Sequence, residues 1–95
     1  MKKINVNETI KVKLNDYGKD IFYHRDDELN KVIVSYGGTP IEPRFPEVDK
    51  DGFTEFQLWD FMKLYGKYFT MGMNNFPLED LNFYIDEKNL KDVEL

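Results

Sequence analysis

The sequence predicts a small single α+β domain in which two main helices pack on a short antiparallel sheet. Segments in which apolar and polar residues alternate, typical of half-buried strands, are separated by segments with helical spacing. A length of 95 residues suits one domain and leaves no room for two. Apolar residues make up 41% of the chain and aromatic residues 16%, which is enough for a compact core. We therefore expect residues 1–95 to form one domain.

The first predicted strand spans residues 8–14, where three apolar residues alternate with three polar ones, so that the apolar set would face the core. Asn15 follows as a good helix N-cap. Residues 16–31 then form the first predicted helix, because apolar side chains recur three and four positions apart. The β-branched run at residues 32–34 is more typical of a strand than of a helix, and two alternatives stay open: a short strand or a continuation of the helix.

Two glycines and three prolines predict an extended, irregular segment over residues 37–47. Thr54 and Gln57 match the capping-box pattern, which predicts a second helix from about residue 55 to 65. Gly66 is placed to end this helix. Its apolar residues cover nearly the whole circumference. Two interpretations therefore stay open, a central core helix or a helix that offers one face to a partner.

Residues 81–86 alternate again and predict a second strand, which we expect to pair with residues 8–14. The loop at residues 67–77 is unusually apolar. Either it folds back over the core or it forms an exposed binding lip with methionine as the adaptable element. The side chains of such a lip would be Tyr68, Phe69, Met71 and Met73.

The net charge of −5 is unevenly distributed, with an acidic excess in residues 79–95. An acidic domain repels phosphate backbones, so direct nucleic-acid binding is not expected. The excess is either a solvated acidic end or an acidic face that competes with nucleic acid for a basic groove. The residues of this acidic set are Glu79, Asp80, Asp86, Glu87, Asp92 and Glu94.

The absence of cysteine excludes disulfides, thiolate metal sites and a cysteine nucleophile. The charged N-terminal residues are not followed by an apolar stretch, so we expect no signal peptide. No apolar run approaches the roughly 20 residues that a membrane-spanning helix needs. We therefore expect a soluble protein of the cytoplasm with no membrane partner.

Groups for catalysis are scarce: the chain holds one histidine and one serine, and it lacks phosphate-binding and dinucleotide-binding motifs. We therefore expect no enzymatic activity. One group could bind a divalent metal of the Zn or Mn kind, because its members would share a face of the first helix. The alternative is a solvated polar face. The group consists of Asp20, His24, Asp27 and Glu28.

A family resemblance is carried mainly by residues 9–24, TIKVKLNDYGKDIFYH, and residues 52–59, GFTEFQLW. It extends to residues 27–30, 45–49 and 77–85 and so covers most of the chain. In these segments the chain resembles a family of short uncharacterised proteins encoded by bacteriophages and prophages of Gram-positive bacteria.

The resemblance implies a function in the host bacterial cytoplasm. Small acidic phage proteins of this size are similar to inhibitors of host defence, including anti-CRISPR proteins that bind an RNA-guided nuclease. On this basis we expect a monomer that blocks such a nuclease through the acidic set and the exposed members of the lip. The alternative is a phage morphogenesis or regulatory accessory protein that self-associates through its aromatic helix.

Overall fold

The described part of the computed structural model, residues 1–69 and 75–92, contains three α-helices and four short strands. In chain order these are β1 (Lys2–Lys3), β2 (Thr9–Val12), α1 (Asp16–Tyr23), α2 (Asp27–Ser35), β3 (Thr54–Gln57), α3 (Leu58–Tyr65) and β4 (Lys91–Asp92). Two 3-10 helices span Gly66–Phe69 and Glu87–Asn89. The strands form two antiparallel pairs, β1 with β4 and β2 with β3. The α+β fold class is thus confirmed.

Strand β2 is the centre of the fold and confirms the first predicted strand. On one edge it pairs with β3, with Ile10 opposite Phe56. On its other edge, Lys11 and Tyr84 exchange two backbone hydrogen bonds of 2.8 Å. The alternation predicted the inward face correctly: the side chains that β2 and the next residues bury are Ile10, Val12 and Leu14.

The predicted strand at residues 81–86 is wrong, although the segment does lie beside β2. Besides the bridge between Lys11 and Tyr84, a second bridge joins Leu14 to Leu78. Between the two bridges the chain advances three residues along β2 but six along the opposite segment. The excess residues bulge outward and interrupt the ladder, and the side chain of Leu81 is exposed as a result.

The single helix predicted over residues 16–31 is in fact two helices. Helix α1 ends at Tyr23, and a turn over residues 24–26 precedes α2. In this turn the Asp27 N–H donates to the His24 carbonyl at 3.1 Å. The β-branched residues 32–34 belong to α2, so the run continues a helix and does not form the strand that its composition favoured. Acidic residues in the first turn of α2 favour the start of a new helix.

The predicted capping box is also wrong, because Thr54–Gln57 forms β3 and α3 begins only at Leu58. The side chain of Thr54 is buried, and its hydroxyl has no hydrogen-bond partner among the described residues. Distant carbonyls cap the helix instead: the Leu58 N–H donates to Glu8 at 3.0 Å and the Trp59 N–H donates to Val6 at 2.9 Å. The end of α3, at Tyr65 before Gly66, is as predicted.

The core is built around aromatic rings on β3 and α3. The ring of Phe61 lies 5.7 Å from that of Phe56 and 5.0 Å from that of Tyr65, and Phe22 of α1 packs on Phe56 at 6.1 Å. Burial raises the pKa of Tyr65, whose hydroxyl donates to the carbonyl of Gly18 at 2.9 Å. Helix α3 therefore buries one face and leaves the other at the surface.

A junction around Asn15 joins β2, α1 and the segment that returns along β2. The Asn15 side chain caps α1, as predicted, by accepting from the Gly18 N–H at 2.8 Å. Its amide nitrogen donates to the carbonyls of Phe76 at 2.6 Å and Leu78 at 3.3 Å. The backbone of Gly18 is so close to Pro77 that an added Cβ atom would collide with the Pro77 carbonyl oxygen.

We predict that Gly18→Ala destabilises the domain by about 2 kcal/mol or more, because the new methyl group must displace the Pro77 backbone. Gly66→Ala is the matched control, since Gly66 is helical and a Cβ atom there meets nothing within 4 Å. This control should be neutral or stabilising by about 0.5 kcal/mol. Urea denaturation of both variants checks the prediction, and equal unfolding midpoints would contradict it.

Candidate functional site

Helix α2 carries a stripe of apolar side chains that the domain does not cover. No residue of α2 is buried. Leu29, Val32 and Tyr36 follow one another at helical spacing and are 50%, 52% and 87% exposed. Ile33, partly buried, lies on the same side. We call these four residues the α2 stripe. A contiguous exposed apolar surface of this kind is typical of an interaction site.

Local hydrogen bonds define the end of α2 and the path of the chain after it. The Gly37 and Gly38 N–H groups donate to the carbonyls of Val34 at 3.0 Å and Ile33 at 2.9 Å, a glycine-dependent helix ending. Gly37 has the positive φ of 81° that this ending requires. The chain then folds back along the helix, where the side chain of Asn30 exchanges two hydrogen bonds with the backbone of Ile41, at 2.7 and 2.9 Å.

The dimensions of the molecule agree with a helix that stands away from the core. The radius of gyration is 15.9 Å, whereas about 12 Å is typical of a compact chain of this length. The principal extents are 53 × 32 × 29 Å. A projecting amphipathic helix can enter a groove on another protein without unfolding the domain that carries it.

Three members of the predicted metal group lie near one another, but they do not converge on one point. Asp27 contacts Nδ1 of His24 at 2.9 Å, whereas Asp20 lies 3.8 Å from Nε2, on the other side of the ring. Glu28 pairs with Lys31 at 3.2 Å instead. Over the described ranges, no three histidine or carboxylate side chains are grouped so that they could hold a metal ion.

Two members of the predicted acidic set are engaged in ion pairs. Asp92 of β4 pairs with Lys2 of β1 at 2.6 Å, across the strand pair. Asp86 lies 3.6 Å from the Lys88 ammonium group and accepts a hydrogen bond from the Lys88 N–H, which caps the second 3-10 helix. Because each of these carboxylates is paired with a lysine of the same chain, less of its negative charge is available to attract another molecule.

The remaining members of the acidic set differ in exposure. Asp80 accepts a hydrogen bond from the Tyr84 hydroxyl, which lowers the pKa of Asp80 and raises the pKa of Tyr84. Glu79 and Glu87 are exposed and form no ion pair within the described residues. Glu94 lies outside the described residues. Of the described members of the acidic set, Glu79 and Glu87 are therefore the ones whose carboxylates are exposed without an ion-pair partner.

The predicted lip is only partly within the described residues. Tyr68 is half-buried, with its ring edge-on to that of Tyr17 at 5.8 Å. Phe69 is exposed but touches the core ring of Phe61 at 6.1 Å. Met71 and Met73 lie outside the described residues. Both described members of the lip thus fold back against the domain.

Comparison with protein-family models, curated proteins and solved structures finds no match for this chain. Within the described ranges, no helix is long and apolar enough to cross a membrane. The surfaces of the chain are therefore the guide to its function, and the α2 stripe is a surface that the sequence patterns did not predict. Its signal was the helical spacing of residues 29, 32, 33 and 36.

We predict that Tyr84→Phe raises the pKa of Asp80 toward the ordinary value of 3.8, because the hydroxyl donor to its carboxylate is lost. In the unaltered chain the lowered pKa of Asp80 contributes stability above about pH 4, and this is lost as the pH falls through the folded-state pKa. The raised pKa of Tyr84 contributes stability below about pH 10, and this contribution is lost as the pH rises through the folded-state pKa.

Carboxyl carbon NMR titration and urea denaturation as a function of pH measure both effects. Tyr84→Phe should flatten the stability profile at both ends. Tyr36→Phe is the control, since Tyr36 is exposed and the change should leave the Asp80 titration unaltered. An Asp80 pKa that is the same with and without the Tyr84 hydroxyl would refute the assignment.

Proposed function

We propose that this chain is an anti-CRISPR-type inhibitor, which acts by stoichiometric binding to an RNA-guided nuclease in a bacterial cytoplasm and not by catalysis. The observation that supports a binding function is the exposed α2 stripe. The class of partner comes from the resemblance to short phage and prophage proteins.

The α2 stripe has the composition of a binding helix. Leu29 and Val32 are each half exposed, so covering them would contribute about 1 kcal/mol apiece. Tyr36 combines a large apolar ring with a hydroxyl, and tyrosine is enriched among the residues that dominate interface energies. An amphipathic helix that inserts its apolar face into a groove is a recurring mode of protein recognition.

The acidic character of the chain supports the same partner class. RNA-guided nucleases hold their guide and target strands in positively charged channels. A chain of net charge −5 is attracted to such a channel, and the exposed carboxylates of Glu79 and Glu87 would add to the attraction. We propose contact with the nuclease protein and no direct contact with nucleic acid.

We predict that the double variant Leu29→Gln/Val32→Gln weakens inhibition of target cleavage about tenfold or more, because it removes apolar contact from the α2 stripe. Glutamine has a helix propensity close to that of leucine, so α2 itself should persist. The matched control is Glu28→Gln/Lys31→Gln on the same helix, which breaks only an exposed ion pair and should retain potency.

The measurements are cleavage assays with increasing inhibitor and co-purification of the tagged chain from a Gram-positive host that carries an RNA-guided nuclease. Stoichiometric recovery of the nuclease supports the proposal. Recovery of the tagged chain without the nuclease refutes the proposed partner. Equal inhibition by Leu29→Gln/Val32→Gln and Glu28→Gln/Lys31→Gln refutes the role of the α2 stripe.

The alternative function is a phage morphogenesis or regulatory accessory protein that self-associates through α3. The outer face of this helix exposes 43% of Trp59 and 57% of Met62, which are one turn apart. The indole N–H of Trp59 donates to the Gln57 side chain at 3.1 Å, so the ring is held in place at the surface. A rigid aromatic side chain of this kind could form the centre of a self-association interface.

We predict that the chain sediments as a monomer of about 11.4 kDa at micromolar concentration, as the inhibitor proposal requires. Under the alternative, it would sediment as a larger species that Trp59→Gln/Met62→Gln dissociates. Leu29→Gln/Val32→Gln is the control and should leave that species intact. Analytical ultracentrifugation of the three proteins therefore distinguishes the two functions.

A further inference from the structure

A groove with a volume of about 490 Å³ lies between β3 and the extended segment at residues 44–49. Phe22 and Phe56, both nearly buried, line it from the core side. Pro46 and Val48 belong to the opposite wall. The volume is within the range of binding sites for small ligands and short peptide segments.

The edge of β3 that borders this groove has free backbone groups. The backbone N–H and C=O groups of Lys11 both bond to Tyr84. Because neighbouring residues of a strand point to opposite edges, those of Ile10 and Val12 point to β3. Thr54 and Phe56 therefore bond toward β2, and the N–H and C=O groups of Glu55 point from the opposite edge. No described residue forms a hydrogen bond with these groups of Glu55. Such an edge can accept an added strand.

The sequence explains why the chain does not close this edge itself. The turn at residues 49–53 begins a hairpin: the Asp49 N–H donates to the Phe53 carbonyl at 2.9 Å, and the Phe53 N–H donates to the Asp49 side chain at 2.9 Å. Two residues further along each arm, Glu47 would face Glu55, and like charges opposite one another are destabilising. The two arms diverge, and the groove lies between them.

Charge is distributed unequally along the groove. The guanidinium groups of Arg25 and Arg44 both lie over the ring of Phe22, at 4.2 and 5.4 Å from its centroid. Arg25 also contacts Asp26 at 3.5 Å, whereas Arg44 forms no ion pair with a described residue. The carboxylates that line the groove are Glu47, Asp49, Glu55 and Asp60. A carboxylate would be accommodated beside the two arginines, and a cationic side chain near the turn.

We propose that this groove binds an extended peptide segment of another protein, which adds as a strand to the free edge of β3 and places an acidic side chain against Arg44 and Arg25. Main-chain hydrogen bonds to Glu55 would supply affinity, and the arginine pair would select the acidic residue. This site is separate from the α2 stripe, so it can exist whether or not the chain inhibits a nuclease.

A display library of short random linear peptides, selected against the full chain, tests the proposal. The expected result is enrichment of peptides that combine β-branched residues with an acidic one. Their binding should shift the backbone amide resonances of Glu55 and Gln57 and slow hydrogen exchange at Glu55. Resonances of α2 should stay unchanged.

Three variants make the test specific. Glu55→Pro removes the outward N–H at a position where an edge strand tolerates proline, and should weaken the selected peptides about tenfold. Glu55→Gln keeps the N–H and should bind within about threefold of the unaltered chain. Arg44→Gln changes an exposed side chain and should weaken acidic peptides about tenfold, but not their amide counterparts.

Three outcomes would overturn the proposal: no enrichment from the library, selected peptides that bind Glu55→Pro as tightly as the unaltered chain, or shifts confined to surfaces away from the groove. If Glu55→Pro fails to fold, Arg44→Gln decides the question. Its side chain is exposed, so the core does not depend on it. Equal affinity of the acidic peptides for Arg44→Gln and for the unaltered chain would then refute the proposed binding mode.

Discussion

The described part of the fold depends on the junction at Asn15. One amide side chain caps α1 through Gly18 and holds two carbonyls of the returning segment, at Phe76 and Leu78. The missing side chain of Gly18 admits the Pro77 backbone, and the hydroxyl of Tyr65 fixes the Gly18 carbonyl from α3. Strand β2, two helices and the returning segment are therefore positioned from one point. A domain of this size has little apolar core, so a satisfied polar network has a large share in specifying the arrangement.

Sequence patterns predicted the parts of this fold that local interactions determine. Strand β2 has a clear alternation, and Asn15 is a residue that caps helices wherever its backbone permits. Strand β3 also alternates, with Thr54 and Phe56 buried and Glu55 and Gln57 exposed, yet the capping-box pattern at the same residues favoured a helix. The deciding contacts are the carbonyls near β2 that cap α3, about 50 residues earlier in the chain. A local pattern contains no information about such partners.

The candidate surfaces likewise combine features that local sequence patterns predict with features that depend on distant parts of the chain. The α2 stripe has a readable helical spacing, but the β-branched run at residues 32–34 indicated a strand. The break between α1 and α2 contains neither glycine nor proline, so the metal hypothesis assumed one continuous helix face. The groove beside β3 could not be predicted, because it exists where two arms of a hairpin fail to pair. The repulsion between Glu47 and Glu55, which would face each other in a longer hairpin, can be recognised only once the turn at residues 49–53 is known.

The pairing of β1 with β4 has a consequence for the order in which the fold forms. Lys2 lies opposite Asp92 and Lys3 opposite Lys91, so this pair joins segments about ninety residues apart in the chain. Closing so long a loop costs conformational entropy, and two-residue strands offer few hydrogen bonds in return. The pair therefore forms only after the rest of the domain has brought the two segments together.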